Sequence, residues 1–244
     1  KMNQENKALE KKAQFEGNQH FNVLLSLLRD RQGFLEEISQ EIRLQSKTNS
    51  LLVCSSIFFA IYGGIIGSSH GWMQALTSTI KLPAFYLLSI MICFPTLFFF
   101  NVLFGSRSTL KQHFVVLLTA VSVISVLLFS FAPITLFFLI TTPDSYQFFK
   151  ILNVCIFGVT GSFGVKFLYD GMQLLSQENE TGKGTRTTIL RSWLLLYGFV
   201  GMQLGWFLRP FFGNPLSKFE LFREVQGNFY LDIVAAFSEI LGFR

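Results

Sequence analysis

Few side chains in this sequence stand where they could do chemistry together. Its three histidines, His20, His70 and His113, fall in a polar tail and two predicted loops, with no pair at metal-ligand spacing. Its three cysteines, Cys54, Cys93 and Cys155, fall in separate apolar segments and read as small buried hydrophobes. An odd count without CxxC spacing gives neither a disulfide framework nor a zinc site. The acidic pairs Glu36–Glu37 and Glu178/Glu180 lie in solvated stretches and read as charged faces. Gly182-Lys183-Gly184-Thr185 lacks the earlier glycine and the flanking strand of a phosphate loop. No Ser-His-Asp set or HExxH motif occurs, so the expectation is a protein that is not an enzyme. No metal site is expected.

Ionisable groups inside apolar segments are the usual functional pointers in a membrane protein. Here they sit at segment edges. Lys166 and Asp170 form an i,i+4 pair near one edge, and Arg191 and Arg209 bracket the last apolar segment. No segment carries a central Asp, Glu, Lys or Arg. That argues against a proton-coupled pump, an aspartyl intramembrane protease and most ion transporters. A pigment would need a ligand other than histidine, and only Asn101, Asn153, Gln203 or a backbone carbonyl remain. Structural lipids or pigments are therefore the only cofactors left open, and no cofactor residue is assigned.

The elements that must hold these residues are apolar. Half of the 244 residues are hydrophobic, only 14% are charged, and 30 are phenylalanine. Mean hydropathy is +0.45. A soluble domain of this length carries more charge. The fold expected is all-α: a polytopic membrane bundle of about five transmembrane helices with amphipathic helices at both ends. The spans fall near residues 50–67, 82–104, 114–140, 151–169 and 189–208, each long enough to cross hydrocarbon. Residues 68–81 read as a loop, with Trp72 suited to the membrane interface. Pro83 reads as first-turn, while Pro95 and Pro133 stand inside spans and should kink them.

Three segments follow: an N-terminal helical part over 1–49, the bundle over 50–213, and an interfacial amphipathic tail over 214–244. In the first, Leu24, Leu28, Leu35, Ile38 and Ile42 recur at helical spacing, with Leu27 and Phe34 beside them. Such a helix lies on the membrane or packs on protein. Acids mixed with bases on its polar face favour protein slightly. In the tail, Phe219, Phe222, Val225, Phe229, Ile233 and Phe237 keep the same spacing.

Charge sets a direction. Eight Lys and Arg lie in 1–49, with Arg107, Lys111, Lys183, Arg186 and Arg191 on the same predicted side. Only Lys81 and Lys150 lie in the opposite loops, plus four basic residues from Arg209 onward. The N-terminus is expected in the cytoplasm or stroma and the C-terminus opposite. The net charge of +5 is thus an orientation signal, and no nucleic-acid partner is expected. The Asn179-Glu180-Thr181 sequon falls on the unglycosylated side.

Small residues form the clearest motif. Gly63/Gly67 and Gly201/Gly205 are GxxxG pairs, and Gly158, Gly161 and Gly164 repeat every third residue. Missing side chains let helix backbones approach closely where no hydrophobic force drives association. The contact is either within the chain or with another membrane subunit.

Residues 81–106 (KLPAFYLLSIMICFPTLFFFNVLFGS), Ser130-Phe-Ala-Pro133 and residues 205–213 (GWFLRPFFG) resemble a poorly characterised family of bacterial and cyanobacterial membrane proteins. The layout over 50–213 resembles a five-span Yip1-type architecture. The resemblance brings no catalytic residues. It implies a bacterial inner-membrane or thylakoid setting and a photosynthetic complex as host. The function expected is a non-enzymatic scaffold, linker or assembly factor among other membrane subunits in the lipid bilayer. The alternative is a transporter or channel for a small solute.

Overall fold

The computed structural model describes residues 17, 19–103, 108–142, 146–175, 183–211 and 221. Seven helices make up that part of the chain: α1 (19–29), α2 (Arg31–Ser39), α3 (Leu44–Gly67), α4 (Trp72–Leu103), α5 (Leu110–Thr141), α6 (Tyr146–Leu175) and α7 (Lys183–Phe207). No strand occurs among the described residues. Four helices, α3 to α6, are long and apolar enough to cross a bilayer. The architecture is a helical membrane bundle. α7 is also long, at 25 residues, but Arg191, Gln203 and its aromatic hydroxyl and indole groups dilute its apolar character.

The helices are longer than the apolar runs that announce them. α3 begins at Leu44, six residues before the uncharged run. The larger revision concerns residues 68–81. Only 68–71 form a turn, and α4 starts at Trp72. Lys81 and Pro83 are therefore inside a helix rather than at its entrance. Pro83, Pro95 and Pro133 each remove one rung of the backbone ladder, yet α4 and α5 stay helical through them. Trp72 is 74% exposed.

The N-terminal pattern is two helices, not one. Asp30 stops α1 and caps α2, its side chain accepting from the Gly33 N–H at 2.9 Å. Glu41 and Arg43 then take left-handed backbone conformations (φ 60° and 51°) to turn the chain into α3. The pair packs on the chain's own bundle, α2 touching α5 and α6. Leu24, Leu27, Phe34, Leu35 and Ile38 are buried there, whereas Leu28 and Ile42 are exposed. α5 opens with a capping box: Thr109 Oγ1 accepts from Gln112 N, and Gln112 Oε1 accepts from Thr109 N at 2.7 Å.

α3 is the centre. It packs against α4 and α5, α6 packs on the outside of α5, and α7 on the outside of α4. Glycine makes the α3–α4 contact close: a Cβ at Gly63 would stand 2.3 Å from Ser78 O, and one at Gly67 2.5 Å from Gln74 O. Phe59 stacks on Tyr86 across the same interface, ring centroids 4.0 Å apart. Gly164 plays the same part between α6 and α5, where a Cβ would meet Ile124. At Gly205 an added Cβ would make ordinary contact with Phe85. Around Gly158, Gly161 and Gly201 an added Cβ would meet nothing within 4 Å. Those three lie on faces that no helix among the described residues fills.

Buried hydroxyls need acceptors where water is absent. Ser122, Thr119 and Thr160, all 0% exposed, donate to carbonyls one turn back in their own helices.

The glycine geometry sets a prediction. Gly63→Leu should destabilise the bundle by about 1–3 kcal/mol, because α4 backbone has to move. Gly158→Ala should not destabilise it, and should gain up to about 1 kcal/mol of helix propensity. Thermal unfolding of both variants in one detergent measures the difference.

Candidate functional site: polar layers across the bundle

The polar side chains collect in three layers. The first lies at the end carrying the N-terminus, called the near end below. Arg31 of α2 reaches Asp170 of α6, Nη2 to Oδ2 2.5 Å, and lies over the Phe167 ring at 4.3 Å. Lys47 of α3 pairs with Glu37 of α2 at 2.7 Å and sits over Phe34 at 4.3 Å. Gln112 of α5 donates to Ser39 O at 2.7 Å, and Thr109 to Glu41 at 2.8 Å. His20 Nδ1 meets Ser50 Oγ at 2.9 Å. These bonds seat α1 and α2 across the ends of α3, α5 and α6. Arg31 and Asp170 are each 40% exposed, so the pair orients more than it stabilises. Lys47 is 6% exposed against Glu37's 53%, and its ammonium needs that partner.

The second layer is interior. Tyr62 of α3 donates to Asn153 Oδ1 of α6 at 2.7 Å, with Thr135 of α5 3.3 Å from the phenol oxygen. Asn153 Nδ2 donates back to Phe149 O at 2.8 Å. All three side chains are fully buried. One tyrosine thus ties three helices.

The third layer is at the opposite, far end. α4 presents Gln74, Ser78 and Lys81 on one helical face, all buried. They donate to backbone carbonyls that follow α7: Gln74 to Pro210 O at 2.8 Å, Ser78 to Phe211 O at 2.8 Å, and Lys81 to Leu221 O. α7 therefore lies antiparallel to α4. Trp193 Nε1 bonds Cys93 O at 3.1 Å toward the other end of this contact. Arg209 stacks on Trp206 at 3.3 Å. One turn earlier, Gln203 Nε2 is buried without a hydrogen-bond partner among the described residues.

Several sequence expectations move accordingly. Lys81 is not a loop residue. At roughly 1.5 Å per residue it lies about 13 Å along α4 from Trp72. Lys47 is likewise buried in α3, so apolar helices do carry cations. Lys166 is exposed, and among the described residues the carboxylate of Asp170 is ion-paired to Arg31 rather than to Lys166. His113 sits in the first turn of α5, 1% exposed, 3.0 Å from Thr109 O. His20 and His70 lie far from it in the chain and at other positions in the bundle. Cys54 and Cys93 are buried, while Cys155 is exposed. Among the described residues no group of three His, Cys, Asp or Glu could hold a metal ion. The side chains of Asn101, Lys150 and Arg186, and residues 104–107, 143–145, 176–182, 212–220 and 222–244, lie outside those described. The sequon and the amphipathic pattern of the tail fall there.

Sequence reasoning missed Gln74, Ser78 and Lys81 as one group. Their i, i+4, i+7 spacing is the helical signal that could have found them. It was hidden by the Gly, Ser and His just before.

The chain matches no protein-family model, no curated protein and no solved structure. What these layers do chemically is hydrogen bonding and charge pairing between segments of one chain.

Tyr62→Phe removes the hydroxyl that donates to Asn153 Oδ1. It should cost about 0.6–2 kcal/mol in detergent unfolding. Thr160→Val, which loses a bond only within α6, should cost clearly less. Equal losses would show that the layer does not tie the helices.

Proposed function

We propose that this chain is a non-enzymatic subunit of a larger membrane complex, acting as a scaffold, linker or assembly factor. The observation that carries the reading is the contrast among its glycines. Gly63, Gly67 and Gly164 sit under neighbouring helices, whereas a Cβ added at Gly158, Gly161, Gly198 or Gly201 would meet nothing within 4 Å among the described residues. A membrane helix gains little from glycine on a face that only lipid touches, since glycine weakens a helix by about 1 kcal/mol. It gains close backbone approach when another helix docks there. The outer faces of α6 and α7 thus offer landing sites of the kind other membrane subunits use. Arg31, Lys47, Gln74 and Ser78, at the two ends, support the same reading, because each bonds within the chain.

In this proposal α7 is the fifth crossing. Its 25 residues and antiparallel packing on α4 support it. The basic excess at the near end puts the N-terminus in the cytoplasm or stroma. The resemblance noted from the sequence supports a host complex in a bacterial inner membrane or a thylakoid. Lys81, 5% exposed inside α4, favours a second reading, a transporter or channel with its site at the far end.

Extraction in a mild detergent, native electrophoresis and mass spectrometry separate the two. A scaffold migrates with other subunits, and Gly158→Leu with Gly161→Leu should release it without unfolding it. A monodisperse free chain, unchanged by those substitutions, would contradict the proposal.

A further inference from the structure

Helix α1 carries more apolar surface than the bundle uses. Leu24 and Leu27 are each 2% exposed and face the protein. Phe21 and Leu28, each 50% exposed, and Leu25 at 36% form a second apolar edge. At about 100° per residue this edge lies directly beside the buried one. The remaining sector holds Asn22, Ser26 and Arg29, all exposed. The helix therefore has three sides, one buried, one exposed and apolar, one exposed and polar. A helix on a water-bathed domain needs only two.

The ends of α1 fix its level. On α3 the exposed surface changes from Gln45, Ser46 and Asn49 to Val53, Ile57 and Ile61. That change marks the polar–apolar border of the bundle, and His20 bonds Ser50 at that border. On α6 the exposed apolar surface ends at Val165, with Lys166 exposed next to it. Arg31, just past the other end of α1, pairs with Asp170 one turn beyond that edge. Both ends are thus pinned at the border, and the helix between them runs along it.

We infer that α1 lies in the membrane–water interface, with Phe21, Leu25 and Leu28 in the acyl region of the near leaflet and Asn22, Ser26 and Arg29 in water. The occupant of the apolar edge is lipid. The edge continues the lipid-level surface of Val53, Ile57 and Ile61 rather than forming a separate patch. α1 itself carries one charged side chain, Arg29, so burial of the apolar edge, more than attraction to anionic headgroups, holds the helix down.

Environment-sensitive fluorophores test this on the full chain in phosphatidylcholine vesicles. Single cysteines replace Leu28, Phe21 or Ser26 in a Cys155→Ser background, in which the remaining Cys54 and Cys93 are buried. Probes at Leu28→Cys and Phe21→Cys should be quenched several-fold more by lipids with a nitroxide high on the acyl chain than the probe at Ser26→Cys. The Ser26→Cys probe should respond to iodide in the water. Two positions on the edge guard against a local failure at one of them. Iodide quenching of the edge probes as strong as at Ser26→Cys would place α1 in water and overturn the inference. Edge probes reached by neither quencher would mean that protein covers the edge, which also overturns it.

Discussion

Every feature of this chain answers to one constraint. In hydrocarbon a polar atom has no water to bond, so its partner must come from the protein. The constraint acts first on the backbone, which is why the described residues form long helices and no strand. It acts next on buried hydroxyls, which turn back to carbonyls of their own helices. It acts last on the few side chains that cannot be satisfied locally, and these become the ties between helices. Tyr62 is the clearest of them, because its phenol joins α3 to α5 and α6 in one layer.

Packing supplies the rest. With lipid as apolar as leucine, helices are held by fit, and fit here rests on missing side chains. Gly63 and Gly67 bring the α4 backbone against α3, which places Gln74, Ser78 and Lys81 where they can reach the chain beyond α7. The close contact and the polar clasp are thus two parts of one arrangement. At the near end the logic repeats with charge, where α1 and α2 are seated by Arg31–Asp170 and Lys47–Glu37.

Much of this was legible in the sequence, and what was not has physical causes. Uncharged apolar runs announce α3, α4, α5 and α6, and the Gly63/Gly67 spacing announces a close helix contact. The start of α4 was hidden because a lysine ends an apolar run in any local reading. Inside the helix Lys81 reaches the carbonyl of Leu221, far along the chain. The partner of Asp170 was hidden for the same reason. Lys166 is one turn away in sequence, but α2 folds over the end of α6 and delivers Arg31. The break at Asp30 left no gap in the apolar spacing, so one helix was read where the structure has two. Periodicity does report surfaces, but it cannot say which of two apolar edges on α1 meets protein.

The account holds that the interior is dry and tied shut, with partners docking from outside. The two buried thiols give the most direct test, since Cys54 and Cys93 are 7% and 2% exposed at different positions within the bundle. In vesicles holding the Cys155→Ser variant, a small hydrophilic thiosulfonate reagent is supplied from each side. The account predicts that neither thiol reacts until detergent and denaturant open the fold. Rapid modification of either one from water, on either side, would reveal an aqueous path through the bundle and contradict it.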